Sequence, residues 1–121
     1  MKNKYLLVGA YHPLEMVIPD KWFYLSEIEK IYEFDENNRP TNKVAAYRLT
    51  VNRNVTFKQF LIKLPANGIK FSVDDFQERQ EAGKHIAVIF ENARIAVFYD
   101  SKTKNIFESI KADSATIREI Q

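Results

Sequence analysis

Two stretches of alternating polarity, separated by a short polar segment, constrain the fold of this chain more than any other feature of its sequence. They span residues 44–52 and 56–64, and a period of two is typical of a β-strand that is buried on one side. Asn52-Arg53-Asn54 has turn chemistry, so the two strands are predicted to form a hairpin. Its core side is predicted to consist of Tyr47, Leu49, Val51, Phe60, Ile62 and Leu64.

A third strand is predicted over Trp22–Phe34, directly before the hairpin. Leu25, Ile28 and Tyr32 repeat at a spacing that also suits a helix. The segment is nevertheless rich in aromatic and β-branched residues, and the polar turn at residues 35–40 leads straight into the alternating strand. Composition and context therefore favour a long strand over a helix.

One short helix is predicted after the hairpin. Ser72 is a good N-cap, the carboxylates of Asp74 and Asp75 suit the positive end of a helix, and Gly83 is placed to end it. Two β-rich stretches follow, from His85 to Tyr99 and from Ile106 to Ala112. The first is long for one strand. Glu91-Asn92-Ala93 is therefore either a bulge in one bent strand or the turn of a separate hairpin, and we favour the bulge.

This order of elements predicts a mainly β protein, built as a five-stranded barrel of the oligonucleotide/oligosaccharide-binding (OB) type with one short helix between strands 3 and 4. A chain of 121 residues is the size of one domain with a short appendage. We therefore assign residues 20–121 to the barrel and residues 1–19 to an N-terminal extension.

Charge is distributed unevenly along the chain. The net charge is +2, from 18 basic and 16 acidic residues. Residues 37–73 hold seven basic side chains and no acidic one, whereas residues 15–36 carry a net charge of −5. A basic segment of this kind has two interpretations. It is either a surface for nucleic-acid phosphates or a set of cations that protects exposed strand edges from aggregation.

The sequence contains no recognisable enzyme motif. It has no glycine-rich phosphate loop, no nucleophile elbow, no pair of histidines at metal-binding spacing and no cysteine. His12 and His85 stand alone, and the carboxylates of residues 74–81 suit a solvated helix face. We expect no catalytic activity, no cofactor and no bound metal.

The N-terminal apolar run Tyr5–Tyr11 follows two lysines but is cut short by His12 and Pro13. No cleavage pattern of a secretory signal follows it. No stretch of the sequence approaches the roughly 18 apolar residues that a membrane span needs. We expect a soluble, cytoplasmic protein without membrane contact.

Several segments resemble a known group of proteins. They are Ile28-Glu-Lys-Ile-Tyr-Glu-Phe-Asp-Glu-Asn-Asn-Arg-Pro-Thr, Ala46-Tyr-Arg-Leu-Thr-Val, Val88-Ile-Phe-Glu-Asn-Ala, Phe98-Tyr-Asp and Ser109-Ile-Lys-Ala-Asp-Ser. Together they are similar to small single-stranded-DNA-binding-like proteins with an OB barrel, which conjugative plasmids and mobile elements of Gram-positive bacteria encode. The resemblance covers residues 22–117 and implies a role in plasmid or element transfer or replication.

The middle hairpin carries both ingredients of a surface for single-stranded nucleic acid, which is held by cations along its phosphates and by rings on which its bases stack. Phe57 alternates with the predicted core residues and is assigned to base stacking. Tyr47 is assigned either to the core, with its hydroxyl at the rim, or to this surface. Trp22 and Tyr24 are expected near the same groove. The predicted nucleic-acid-binding residues are Arg39, Lys43, Tyr47, Arg48, Arg53, Phe57, Lys58, Lys63, Lys102 and Lys104.

The expected function is therefore binding of single-stranded DNA, or of RNA, without strong sequence preference. The alternative is an assembly module of a transfer or replication complex that contacts protein rather than nucleic acid. In that case residues 5–18 are expected to add a strand to a protein partner or to a second copy of the chain. A carbohydrate or small-ligand binder ranks third, because no residue distinguishes it.

Overall fold

The computed structural model describes residues 9–120, which form eight strands, one α-helix and one short 3-10 turn at Leu14–Met16. The helix α1 spans Val73–Glu81. The strands are β1 (Tyr11–Pro13), β2 (Phe23–Phe34), β3 (Pro40–Arg53), β4 (Gln59–Pro65), β5 (His85–Glu91), β6 (Arg94–Asp100), β7 (Asn105–Lys111) and β8 (Ser114–Ile120).

All eight strands belong to one sheet in the order β1-β6-β7-β4-β3-β2-β5-β8. Neighbouring strands are antiparallel, except that β4 and β7 run parallel and pair only at Lys63 and Lys111. The predicted mainly β class with a single helix is confirmed for the described residues. The sheet as paired has eight strands and is open, with β1 and β8 at its two ends.

The predicted two-sided pattern of the middle hairpin is confirmed. Leu49 pairs with Ile62 and Val51 pairs with Phe60, and the core side chains Leu49, Val51 and Ile62 are fully buried. Leu61, on the opposite face of β4, is half exposed. The predicted position of the turn is wrong, because β3 continues through Arg53 and the chain reverses over residues 54–58.

The helix begins and ends where the sequence predicts. The Ser72 hydroxyl accepts a hydrogen bond from the Asp75 backbone N–H at 3.1 Å, which satisfies one free amide of the first turn. Gly83 adopts φ +81°, the left-handed conformation that commonly ends a helix. Phe76 is buried, so the helix covers part of the core.

The stretch after the helix forms two strands, and the interpretation of Glu91-Asn92-Ala93 as the turn of a separate hairpin is wrong. β5 pairs with β2 and β8, whereas β6 pairs with β1 and β7. Asn92 adopts φ +55°, and the chain changes neighbours at that point. The sequence pattern also missed β8, whose apolar residues are too interrupted to indicate a strand.

The described part of the N-terminal segment joins the sheet of its own chain. Tyr11 lies opposite Ala96, the Gly9 N–H donates to the Val97 carbonyl at 2.7 Å, and Leu14 is buried in the core. The predicted strand exchange through residues 5–18 falls partly outside the described residues. No helix within residues 9–120 has the length and apolar character to cross a membrane.

Candidate nucleic-acid interface

A row of basic side chains crosses four adjacent strands. Arg48 of β3 lies opposite Lys63 of β4, Lys63 lies beside Lys111 of β7, and Lys111 lies opposite Arg94 of β6. Residues paired in this way project from the same face of a sheet. We call these four residues the basic row. Four positive charges in one line suit the phosphates of a nucleic-acid backbone.

The charges in the basic row differ in how far they are neutralised. The Arg48 guanidinium donates to Glu29 Oε1 at 2.9 Å, and Arg94 Nη1 lies 2.9 Å from Asp113 Oδ1. Lys63 is exposed, and within residues 9–120 its side chain makes no hydrogen bond or salt bridge. Its ammonium is therefore the member of the row most available to an external phosphate.

Lys111 is held by an aromatic ring. Its ammonium lies 5.1 Å from the centre of the Tyr11 ring, within the range of a cation–π contact. The Tyr11 hydroxyl and the Ser109 hydroxyl are 3.0 Å apart. That hydrogen bond and the nearby ammonium lower the pKa of Tyr11. The contact keeps the positive charge of Lys111 while limiting where it points.

Four aromatic side chains gather at one end of the same surface, and we call Trp22, Tyr24, Phe57 and His85 the aromatic cluster. Tyr24 is its centre. Its ring lies 5.1 Å from Trp22 and 6.4 Å from His85 in edge-to-face contacts, and 5.8 Å from Phe57 with the planes 18° apart. Stacked and edge-to-face rings of this kind form a rigid apolar platform.

The aromatic cluster and the basic row share the outer face of β3. Tyr24 lies opposite Asn52, which is four residues after Arg48 on the same side of the strand. Four residues of strand span about 13 Å. This face therefore carries cations at one place and rings a short distance along it.

Phe57 is exposed because of an uncommon backbone conformation. It lies in the β3–β4 turn with φ +59°, which is rare for a bulky side chain and costs on the order of 1–3 kcal/mol. The turn is held by a hydrogen bond from the Phe57 N–H to the Arg53 carbonyl at 3.0 Å and by one from Asn52 Nδ2 to the Phe57 carbonyl at 3.2 Å. Phe57 is 62% exposed, and its ring lies against that of Tyr24.

Arg53 braces this turn from the side. Its Nη2 lies 2.7 Å from Oδ1 of Asp20, a carboxylate whose side chain is only 4% exposed. The hydrogen bond from Arg53 holds the pKa of Asp20 below its usual range, against the effect of burial. Asn54 Nδ2 donates to the Trp22 carbonyl at 3.2 Å. The residues before β2 thus anchor Arg53 and Asn54, at the start of the turn that carries Phe57.

An open pocket of about 490 Å³ lies beside the aromatic cluster. It is lined by Tyr24, Asn52, Phe57, His85 and Ile120. Rings form most of its wall, and Asn52 supplies an amide that is already engaged with Ser26 Oγ at 2.6 Å. The pocket therefore offers mainly stacking surface.

The predicted binding residues separate into two groups in the structure. Arg48, Phe57, Lys58 and Lys63 lie together on the β3–β4 hairpin and are exposed. Tyr47 is half-buried and packs against the core, which agrees with its assignment to the core rather than to the binding surface.

The other predicted residues lie elsewhere. Arg39 ends the turn between β2 and β3, and Lys43 of β3 lies 3.5 Å from Glu33 of β2. Lys102 and Lys104 lie at the tip of the β6–β7 hairpin, which meets β4 at one residue pair only. The structure does not join these four cations to the β3–β4 group.

Sequence reasoning missed two members of the basic row and one ring of the aromatic cluster. Arg94 and Lys111 lie outside the basic segment of residues 37–73, and His85 stands alone in the sequence, with no aromatic pattern around it that indicates a stacking role. The parallel pairing of β4 with β7 brings Lys111 beside Lys63. No local pattern indicates that pairing.

No protein-family model, curated protein or solved structure matches this chain. Within residues 9–120, no group of three or more histidines or carboxylates is placed to hold a metal ion. What this surface binds is therefore inferred from its charges and its rings.

Proposed function

We propose that this protein binds single-stranded nucleic acid, DNA in the first place, on the outer face of β2, β3 and β4, without strong sequence preference. The observation that carries the proposal is the exposed ring of Phe57, stacked on Tyr24, on the same face as the unpaired ammonium of Lys63. Rings and cations in one groove are the usual means of holding single strands. A role in plasmid or mobile-element transfer or replication accords with the resemblance of residues 22–117.

The phosphate contacts in this proposal come from the basic row. Lys63 is available without rearrangement, and Arg48 exchanges an exposed salt bridge with Glu29 for a phosphate. An exposed salt bridge contributes only about 0–1 kcal/mol, so giving it up costs little. Each phosphate neutralised releases counterions, which makes the affinity depend on salt.

The base contacts come from the aromatic cluster. A base that stacks on the exposed face of Phe57 contributes about 1–3 kcal/mol, whatever its identity. In the adjacent pocket both ends of the Asn52 amide are already hydrogen bonded, and the other polar side chains of the lining are Tyr24 and His85, each of which can either donate or accept a hydrogen bond. Discrimination between bases is therefore expected to be weak.

The strand pairings support an OB barrel as the underlying architecture. Only Asn92-Ala93 separates β5 from β6, and only Ala112-Asp113 separates β7 from β8. We count β5 and β6 as one bent strand, and β7 and β8 as another. Each strand is then a neighbour of the next in the order β2, β3, β4, β7/β8, β5/β6, and β5/β6 is a neighbour of β2. We propose that these five strands close into a barrel, with α1 after the third. In this fold the face of strands 2 and 3, here β3 and β4, binds oligonucleotides.

The test is fluorescence anisotropy of a labelled single-stranded oligonucleotide, with duplex DNA and RNA as competitors. Three to five phosphate contacts predict a slope of log affinity against log salt of about −2 to −3.5. Single strands should compete better than duplex. Binding that is unmeasurable at low salt, or that does not change with salt, overturns the proposal.

A further inference from the structure

A second group of aromatic side chains lies on the β6–β7 hairpin, and we call Tyr11, Phe98 and Phe107 the second ring group. Phe98 and Phe107 pair across the hairpin, with ring centres 5.4 Å apart and ring planes 23° from parallel. Tyr11 of β1 meets Phe98 edge to face at 6.3 Å. Phe107 is 52% exposed and Tyr11 is 38% exposed. The three rings therefore pack together and still present ring surface to solvent.

The second ring group projects from the same face of the sheet as the basic row. Arg94 lies opposite Lys111, and Phe98 lies opposite Phe107, four residues further along each strand. Residues separated by an even number of positions in a strand share one face, and four residues span about 13 Å. The Lys111 ammonium, a member of the row, already lies over the ring of Tyr11. Cations and rings thus adjoin here, as they do on β3.

Charge distinguishes the two faces of this hairpin. Between Phe107 and Lys111 the outer face of β7 carries Ser109, which is uncharged. The opposite face of β7 carries the carboxylate of Glu108 beside the exposed side chain of Ile106. A carboxylate repels phosphates. The outer face, in contrast, combines exposed rings with positive charge.

We propose that one single strand of nucleic acid contacts both ring groups. Bases near one end stack on the aromatic cluster, a base near the other end stacks on Phe107, and the phosphates between them lie on the basic row. This proposal rests on the function proposed above and extends its site from β3 and β4 to β6 and β7. Cations between two sets of exposed rings suit a polyanion that carries its own aromatic bases.

The strand pairing sets the length of this path. β4 and β7 run parallel and pair at Lys63 and Lys111, so the row joins the two hairpins. From Asn52, beside the aromatic cluster, to Arg48 is four residues, and from Lys111 to Phe107 is four more. With two strand spacings across the row, the path along the sheet is about 36 Å. A strand of about four nucleotides is too short to follow it from end to end, whereas one of about 16 nucleotides is long enough.

Anisotropy with labelled oligothymidylates of about 4 and about 16 nucleotides tests this path. Phe107→Ala should weaken binding of the longer strand about tenfold, because a stacked base is lost. The shorter strand can use the aromatic cluster instead and should lose at most about twofold. Ile106→Ala is the matched control, since Ile106 is adjacent and exposed but lies on the opposite face of β7. It should bind both strands like the parent.

Two further variants at this position separate stacking from a general need for an apolar side chain. Phe107→Tyr should keep the parental affinity for the longer strand, because it keeps a ring on which a base can stack. Phe107→Leu should lose about as much affinity as Phe107→Ala does. A Phe107→Leu variant that binds like the parent overturns the proposal.

Tryptophan fluorescence gives a direct readout, because Trp22 is the one tryptophan of the chain. In a Trp22→Phe background, Phe107→Trp should lose emission when the longer strand stacks on the new indole. Ile106→Trp in the same background should not respond. Binding by anisotropy without a change in the emission of Phe107→Trp overturns the proposal.

This proposal and the proposed function fail in different ways. If Phe107→Ala binds the longer strand like the parent while Phe57→Ala weakens it, the second ring group is not part of the site and the proposed function stands. An equal loss in Phe107→Ala and Ile106→Ala also overturns the path, since the effect then does not depend on the face. A parental protein that binds neither oligothymidylate overturns both proposals.

Discussion

The ring centres of Phe57 and Tyr24 are 5.8 Å apart with the ring planes 18° from parallel, although one residue is in a turn and the other in the strand β2. The contact depends on the left-handed backbone at Phe57, which turns the ring back over the sheet. The turn thereby extends the outer face of β2 and β3 by one aromatic ring.

Removing the ring of Phe57 should weaken binding without changing its salt dependence. Phe57→Ala is expected to cost about 1–3 kcal/mol of single-strand affinity, because base stacking is lost and the phosphate contacts remain. Anisotropy titrations at several salt concentrations measure both quantities. Val55→Ala, in the same turn and also exposed, should bind like the parent. A changed slope in Phe57→Ala would contradict the assignment to stacking.

Removing the ammonium of Lys63 should have the opposite signature. Lys63→Ala is expected to lower the salt slope by roughly 0.7 and to weaken all sequences alike, since a phosphate contact carries no base information. Lys70→Ala, an exposed lysine outside the basic row, is the control and should leave the slope unchanged. If only Lys102→Ala or Arg39→Ala lowers the slope, the groove runs along the flanking turns instead.

Neighbouring residues of β4 should differ sharply in their effect on stability. Ile62→Ala is expected to lower the free energy of unfolding by about 2–5 kcal/mol, because Ile62 is fully buried. Leu61→Ala, on the half-exposed face, should cost less than about 1 kcal/mol. Urea denaturation measures both. A larger loss in Leu61→Ala would mean that the register of this strand is shifted by one residue.

The Asp20–Arg53 pair should make stability depend on pH in the acid range. The folded protein holds the pKa of Asp20 below its ordinary value, so its stabilising contribution is present above the unfolded pKa of about 4. It is lost as the pH falls from there through the folded pKa. At pH 7 Asp20→Asn is expected to lower the free energy of unfolding by about 2 kcal/mol. On acidification the variant should lose less stability than the parent does.

Thermal melts at pH 7 and pH 3 compare these variants. Asp113→Asn is the control, since the Asn92 amide and Arg94 also lower the pKa of Asp113 but its carboxylate is exposed. Asp113→Asn should change the melting temperature less than Asp20→Asn does at both pH values. An Asp20→Asn variant with the parental pH profile would show that Asp20 does not contribute to the acid sensitivity.

Local patterns determined most of the strands and their faces. A period of two settles which side of β3 and β4 is buried, because each residue in a strand alternates across the sheet. Ser72 and Gly83 bound the helix because a cap and a left-handed stop act within a few residues. Leu49 and Ile62 in the core follow from the sequence alone, whereas Phe57 is exposed because of its left-handed backbone in the turn and not because of the predicted alternation.

Only the tertiary structure decided which distant residues meet. Lys111 stands beside Lys63, and His85 stands beside Tyr24, because β7 and β5 pair with strands far away along the chain. Arg53 had the local appearance of a free turn cation, yet Asp20, 33 residues earlier, neutralises it. Long-range pairing and buried ion pairs depend on the packing of the whole sheet, so no short window of sequence contains them.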